Sequence, residues 1–139
     1  MMPSDADLRA LLHEARTIAV VGLSPNAMRP SHSVARYLKG SGYAIVPVNP
    51  GHAEILGEKS YRTLSDAARD HSIDIVDVFR RSEHVGAIVA EAIALRSPPK
   101  LIWLQLGVVD AGAAQAAEAA GIAFIQDHCL AIEHSRLEA

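Results

Sequence analysis

Five short runs of apolar residues recur along this 139-residue chain, and they constrain its fold more than any other feature. Each run spans four to six residues, and the runs lie at residues 18–22, 44–48, 73–78, 101–104 and 122–125. Within each run, apolar residues do not alternate with polar ones, as they would in a strand with one face exposed to solvent. This pattern is typical of parallel strands covered on both faces. The runs therefore predict five buried strands.

Segments with helical patterning separate the runs. Before the first run, residues 4–15 place apolar side chains at i, i+3, i+4 and i+7, namely Leu8, Leu11, Leu12 and Ala15. This spacing predicts an amphipathic helix. Further helices are predicted at residues 31–39, 65–70, 82–96 and 110–120.

Residues suited to helix ends stand at several of these boundaries. Ser4 or Asp5 is the expected N-cap of the first helix, and Ser82 is the expected N-cap of the helix at 82–96. Gly40 and Gly121 stand where C-caps belong. These residues indicate where the chain leaves each helix.

Strands that alternate with helices predict parallel pairing with right-handed crossovers. The expected fold is therefore an α/β protein with a doubly wound, mainly parallel sheet. The chain has no repeat and no linker-like segment, so residues 1–139 are predicted to form one domain.

Charge and cysteine content narrow the class of partner. The formal net charge of −3 gives no general attraction to nucleic acid or to an anionic membrane. The acidic, helix-patterned N-terminus does not resemble a secretory signal, and no apolar run approaches the length that crosses a bilayer. The single cysteine, Cys129, fits a reducing compartment. We expect a cytoplasmic protein that binds neither nucleic acid nor membrane.

In a doubly wound sheet, the loops after the strands emerge at one edge, where ligands bind. The predicted loops at this edge are residues 22–31, 49–51, 79–82, 107–110 and 127–129. A dinucleotide site would need G-x-G-x-x-G in the first loop and an acidic residue after the second strand. The chain has Gly22 alone in the first loop and Asn49 followed by Pro50 after the second strand, and it lacks a P-loop. These features disfavour an ordinary NAD site.

The first loop is nevertheless suited to anions. Ser24, Arg29 and Ser31 offer hydrogen-bond donors beside the N-terminus of the next helix, whose free N–H groups attract phosphate. Ser31 is also the expected cap of that helix. Pro25 and Pro30 restrict φ and stiffen a loop with little glycine.

A second cationic group follows the third predicted strand. Arg80 and Arg81 come directly after Phe79 and precede the helix at 82–96. Two guanidinium groups at one strand end can bind separate phosphate oxygens. The two loops together favour a ligand with several phosphates.

Several motifs in this order carry a family resemblance: VGLSP, RPS, VPVNP, ILGEKSY, DIVDVFRRSE, WLQLG and DHCLAIEH. With them the chain resembles the small stand-alone CoA-binding proteins of bacteria, over residues 8–137. Their fold is similar to the CoA-binding domain of the succinyl-CoA synthetase α subunit. The resemblance implies a Rossmann-like domain that binds coenzyme A at the carboxyl edge of its sheet.

The resemblance also implies which residues contact CoA. The first loop would contribute Gly22, Ser24, Pro25, Arg29, Pro30 and Ser31. The turn beside the adenosine would contain Asn49 and Pro50, and the strand end beside the nucleotide would contain Val78, Phe79 and Arg80.

The segment Asp127-His128-Cys129 falls where the synthetase has an asparagine–cysteine pair near the pantetheine thiol. Asp-His is a departure from that pattern. Two hypotheses for Cys129 stay open: it is a small buried residue, or its thiol meets the CoA thiol and forms a reversible mixed disulfide.

The expected function is binding of CoA or a short acyl-CoA without catalysis, because the loops hold no Ser-His-Asp set and no paired carboxylates. The phosphorylated histidine of the synthetase belongs to a second domain that is not found in this sequence, so ligase chemistry is not expected. No metal site is expected either, because the residues at 127–134 lack metal-binding spacing. The alternatives are an enzyme that acts on an acyl-CoA and an NAD-type nucleotide-responsive regulator.

Overall fold

A five-stranded parallel sheet forms the centre of the protein in a computed structural model that describes residues 2–139. Its strands are β1 (Thr17–Val21), β2 (Ala44–Val48), β5 (Ile75–Val78), β6 (Leu101–Leu104) and β7 (Ala123–Ile125). A separate two-stranded hairpin contains β3 (Glu54–Ile55) and β4 (Glu58–Lys59). The helices are α1 (Asp5–Glu14), α2 (Pro30–Gly40), α3 (Leu64–Asp70), α4 (Ser82–Ile93), α5 (Ala111–Ala119) and α6 (Leu130–Leu137).

The strand order is β2-β1-β5-β6-β7, and all neighbouring strands are parallel. The chain first winds outward from β1 to β2 and then returns to place β5 on the other side of β1. The winding direction therefore reverses between β1 and β5, and the predicted doubly wound α/β class is confirmed.

Two apolar layers cover the sheet. On one face, strand residues such as Ile18 and Trp103 pack against α1, α2 and α6. On the other face, residues such as Ala19 and Val76 pack against α3, α4 and α5. Strand side chains alternate between these two layers, which explains why each strand is apolar along its whole length.

Two elements are absent from the sequence prediction. The β3–β4 hairpin has two residues in each strand and turns through Leu56 and Gly57, which both have positive φ. Helix α6 has only eight residues, and its buried face includes the polar His134. Neither element has an apolar pattern long enough to stand out in the sequence.

Helix caps agree with the sequence in part. Ser4 caps α1, since its hydroxyl accepts from the Asp7 backbone N–H at 3.1 Å. Gly121 follows α5 with a φ of +75°, as expected of a glycine beyond a helix end. The prediction for Gly40 is wrong, because α2 includes that residue and the positive φ falls at Gly42.

The predicted capping role of Ser82 is also wrong. Arg81 occupies the N-cap of α4, and the Ser82 hydroxyl accepts from the Val109 N–H in a neighbouring loop at 3.0 Å. The helix predicted at 82–96 ends at Ile93. Within residues 2–139, no helix combines the length and the apolar character needed to cross a bilayer.

Candidate functional site

A cleft of about 670 Å³ lies at the carboxyl edge of the sheet, beside the loops that leave β1, β5 and β6. Its position matches the reversal in strand order, where open α/β sheets bind ligands. Fourteen residues line it: Gly22, Ser24, Arg29, Pro30, Ser31, Val34, Phe79, Arg80, Arg81, Gln105, Leu106, Gly107, Val108 and Cys129.

Most of the residues predicted from the sequence lie on this cleft. They are Gly22, Ser24, Arg29, Pro30, Ser31, Phe79, Arg80, Arg81 and Cys129. Four others lie off its lining: Pro25, Asn49, Pro50 and Val78. The cleft thus joins the two cationic loops that the sequence placed at one edge.

The four residues off the lining have different positions. Val78 is fully buried in the core beneath the edge, whereas Pro25 and Pro50 are exposed. Asn49 supports the first loop from below, because its Nδ2 donates to the Leu23 carbonyl at 3.0 Å. Its Oδ1 accepts from the Gly51 N–H at 2.9 Å. The amide side chain of Asn49 is therefore used within the fold.

Gly22 stands where the loops from β1 and β5 approach each other. Its φ is +88°, and a Cβ added there would lie 2.6 Å from the Phe79 carbonyl oxygen and 2.9 Å from Cδ of Arg80. Only glycine meets both conditions without strain. The single glycine of the first loop thus allows the two loops to meet at the cleft.

The first loop is fastened by hydroxyl groups. Ser31 is 5% exposed, and its Oγ accepts from the Ser24 N–H at 3.0 Å. Ser31 lies inside α2, whose N-cap is Arg29, so the expectation that Ser31 caps this helix is wrong. Ser24 in turn accepts from the Asn26 N–H at 3.1 Å. The loop keeps its shape through side-chain bonds to its own backbone.

Three helices begin at the cleft, and all three lack a side-chain cap. Their N-cap residues, Arg29 of α2, Arg81 of α4 and Cys129 of α6, line the cleft and make no capping hydrogen bond. By contrast, Ser4, Thr63 and Asp110 cap α1, α3 and α5, and these residues are not on the lining. The helix ends left uncapped are therefore the ones that face the cleft.

Cations stand beside two of these helix ends, those of α2 and α4. Neither Arg29 nor Arg80 pairs with a carboxylate among residues 2–139, and Arg81 lies 3.8 Å from Glu83 while being 86% exposed. Free helix N–H groups and guanidinium groups attract the same ligands, namely phosphates and other anions. This side of the cleft is built for negative charge.

The part of the lining that follows β6 is less polar. It includes Leu106 and Val108, and Leu106 is 63% exposed. A hydrogen bond holds this loop in place, because the Gly107 N–H donates to Oδ1 of Asp127 at 2.7 Å. This part of the lining suits an uncharged part of a ligand.

Gln105, at the floor of the cleft, is paired with a carboxyl group buried behind the lining. Asp77 is completely buried in β5, and its Oδ1 accepts from Nε2 of Gln105 at 2.9 Å. Burial raises the pKa of Asp77 to about 7, against the opposing effect of the Gln105 hydrogen bond. Within residues 2–139 there is no cluster of three or more metal-ligating side chains.

Sequence reasoning missed five lining residues: Val34, Gln105, Leu106, Gly107 and Val108. The loop at 107–110 is among those expected at the edge, but its one charged residue, Asp110, is an acid and does not mark a contact with phosphate. The motif WLQLG contained the one usable signal, a glutamine directly after a buried strand.

The sequence pattern of a family described as "CoA binding domain" matches residues 16–135. This chain belongs to the CoA-binding domain family. The Bacillus subtilis (strain 168) protein YneT, described as uncharacterized, is 38% identical over 133 residues, and the match covers 96% of each chain.

Solved structures of similar proteins have the same fold. Cell-free ID.343 from Thermus thermophilus is 40% identical with a TM-score of 0.86, and the match covers 97% of this chain and 99% of that one. A hypothetical protein from Pyrococcus horikoshii OT3 is 33% identical with a TM-score of 0.91, covering 99% and 94% of the two chains.

Proposed function

We propose that this CoA-binding domain protein holds coenzyme A or a short acyl-CoA in the cleft at the carboxyl edge and catalyses no reaction of its own. The observation that carries the proposal is the set of three uncapped helix N-termini around the cleft. Family membership independently supports CoA as the class of ligand.

The distribution of charge fits this ligand. CoA carries a pyrophosphate and a 3′-phosphate at one end and a long uncharged arm at the other. Arg29, Arg80 and Arg81 are assigned to the phosphates, and the side with Leu106 and Val108 is assigned to the arm. The cleft volume of about 670 Å³ lies within the roughly 300–1,000 Å³ usual for such ligands.

Other predicted contacts follow from the same orientation. Gly22, Ser24, Pro30 and Ser31 would surround the phosphates, and Phe79 would lie beside the nucleotide. Pro25, Asn49, Pro50 and Val78 are assigned to the support of these loops. The nicotinamide alternative is weaker, because Asn49 stands where an acid would bind a ribose.

The lining residues support the absence of catalysis. Among the described residues on the cleft there is no Asp, Glu, His or Lys to act as a general base. No general base on the lining is therefore available to activate the thiol of Cys129 or the hydroxyl groups of Ser24 and Ser31. We assign the protein to the cytoplasm, with a small-molecule ligand and neither nucleic acid nor membrane as a partner.

Calorimetric titration of the purified protein with CoA, acetyl-CoA and NADH tests the proposal. We expect binding of CoA or acetyl-CoA, with both ligands recovered intact by chromatography after prolonged incubation. Binding of NADH without CoA binding would favour the regulator. Hydrolysis or transfer of the acetyl group would favour the enzyme.

A further inference from the structure

The phosphate contacts proposed above leave the polar floor of the cleft unexplained. Asp77 lies on β5 between Val20 of β1 and Trp103 of β6, so apolar residues flank it in the sheet. Its Oδ2 is buried and has no hydrogen-bond partner. An unpaired buried carboxyl oxygen opposes folding, and an apolar residue would be the more stable choice at this position.

The hydrogen bond between Asp77 and Gln105 orients the Gln105 amide. Because Nε2 of Gln105 donates to Oδ1 of Asp77 at 2.9 Å, Oε1 is the amide atom left for the cleft. Oε1 accepts no hydrogen bond from residues 2–139, although Gln105 lines the cleft and is only 5% exposed. An acceptor is therefore held at the cleft floor without a donor.

An acceptor oxygen backed by a carboxyl group repels phosphate, so this floor does not belong to the anionic end of the ligand. Gln105 directly precedes Leu106, and both belong to the part of the lining that follows β6, which the proposed function assigns to the uncharged arm. The polar hydrogens of that arm include amide N–H groups, which are the natural donors to a glutamine oxygen.

We propose that Gln105 determines specificity by accepting a hydrogen bond from an amide N–H of the ligand's uncharged arm, and that Asp77 is the positioning residue that holds the glutamine oxygen toward the cleft. This inference rests on the proposed function. It adds a reason for selecting a nucleotide with an amide-bearing arm over a nucleotide with phosphates alone.

Two ligands distinguish contacts to the nucleotide end of CoA from contacts to its uncharged arm. Adenosine 3′,5′-bisphosphate has the adenosine and two phosphates but no arm, whereas CoA has both ends. We expect Gln105→Met to weaken CoA binding about 5- to 20-fold, as for a lost hydrogen bond in a desolvated site. Binding of the bisphosphate should stay within about twofold of wild type, because the arm is absent.

Asp77 is tested with a conservative pair of variants. Asp77→Leu removes the acceptor that orients Gln105, and we expect the same selective loss of CoA affinity. Asp77→Asn keeps an acceptor oxygen at Oδ1 and should restore most of that affinity. A purely structural role would weaken both probes together, and that result would overturn the assignment of Asp77.

Gln105→Met leaves the Asp77 carboxyl group without its hydrogen-bond partner, which can itself destabilise the protein. The double variant Asp77→Leu/Gln105→Met avoids this, because it replaces both polar side chains with apolar ones. It should fold and show the same selective loss of CoA affinity. Unchanged CoA affinity in this double variant overturns the inference while leaving the proposed function intact. A wild-type protein that binds neither CoA nor acetyl-CoA overturns both.

Discussion

Gly22 and Arg80 show how single residues define the cleft. Gly22 permits the loops from β1 and β5 to approach, and the Arg80 side chain occupies the space next to it. A side chain at position 22 would displace the neighbouring backbone and the arginine together. The geometry of one glycine is therefore coupled to the placement of one proposed phosphate ligand.

Gly22→Ala is expected to lower the free energy of unfolding by about 2 to 4 kcal/mol, because a positive φ and a close backbone contact both oppose a Cβ. Gly57→Ala is the matched control, since Gly57 also has a positive φ of +75° but no atom within 4 Å of the added Cβ. The free energy of unfolding of Gly57→Ala, measured by urea denaturation, should fall by only about 1 kcal/mol. Equal losses of stability in the two variants would show that the close contact with Phe79 does not contribute to the effect.

Arg80→Ala is expected to weaken CoA binding by about 1.5 to 3 kcal/mol, or about 10- to 150-fold, through loss of a charge-assisted contact. Arg62→Ala removes an exposed arginine away from the cleft and should bind CoA normally. Calorimetry measures both affinities. If Arg80→Ala binds like wild type, Arg80 does not belong to the site.

Cys129 is half-buried on the cleft lining, so its thiol can be tested for contact with the ligand thiol. With CoA disulfide as oxidant, we expect the Cys129 thiolate to attack one sulfur, form a mixed disulfide and release one CoA thiolate. Intact-mass analysis should find this adduct, and a reductant should remove it. An unmodified wild-type protein would favour the other hypothesis, that Cys129 is a small packing residue.

At the scale of secondary-structure elements, the capping pattern separates two groups of helices. In each of the capped helices, α1, α3 and α5, the N-cap side chain accepts a hydrogen bond from one N–H group of the first turn. The uncapped ones, α2, α4 and α6, have no such side-chain acceptor, so first-turn N–H groups without a backbone acceptor are left for water or a ligand. Stability is thereby lower at the cleft than good capping would allow, which is typical of a binding edge.

Adding a cap at this edge should stabilise the protein without ligand. Cys129→Ser places a hydroxyl at the N-cap of α6, whose backbone there is already extended with φ −92° and ψ 119°. We expect it to be more stable than Cys129→Ala by about 0.5 to 2 kcal/mol in thermal or urea denaturation. The alanine variant serves as the control, because it also removes the thiol. Equal stability would mean that the α6 terminus is already satisfied.

At the scale of the whole molecule, charge and burial are unevenly distributed. The protein carries a net charge of −3, yet three arginines gather at one cleft. Among the described residues, Asp77 carries the one carboxyl group that the fold buries completely. The same tertiary arrangement therefore creates a cationic edge and a group whose protonation is coupled to folding.

Asp77 should make the stability of the protein depend on pH. Its pKa is about 7 in the folded protein against an ordinary value of 3.8, so the folded state holds the extra proton between these values. The stabilisation relative to the ionised form is fully present below about pH 4 and is lost as the pH rises through about 7, a change of about 4 kcal/mol.

Urea denaturation of wild type and Asp77→Asn across pH 4 to 8 measures this effect. The stability of wild type relative to the variant should fall as the pH rises, because asparagine does not titrate. Asp5 and Asp70, whose pKa values are lowered by Arg136 and Tyr61 respectively, act in the opposite direction and cancel in the comparison. A difference that stays constant with pH would contradict the prediction.

The sequence by itself determined the α/β class, because local apolar runs and intervening helical patterns are properties of short segments. It also determined that Gly22, Arg29 and Arg80 would emerge at the same edge, since all loops that follow parallel strands do so. These conclusions need only the order of elements and the rule of right-handed crossovers.

Only the tertiary structure decided the contacts between distant segments. Ser82 bonds to Val109 instead of capping its own helix, and Asp77 meets Gln105, which is 28 residues away. The short helix α6 takes its place by packing its apolar residues, including Leu130, into the core. Such contacts depend on which side chains the packed sheet brings within hydrogen-bonding or van der Waals distance, and no local pattern encodes that.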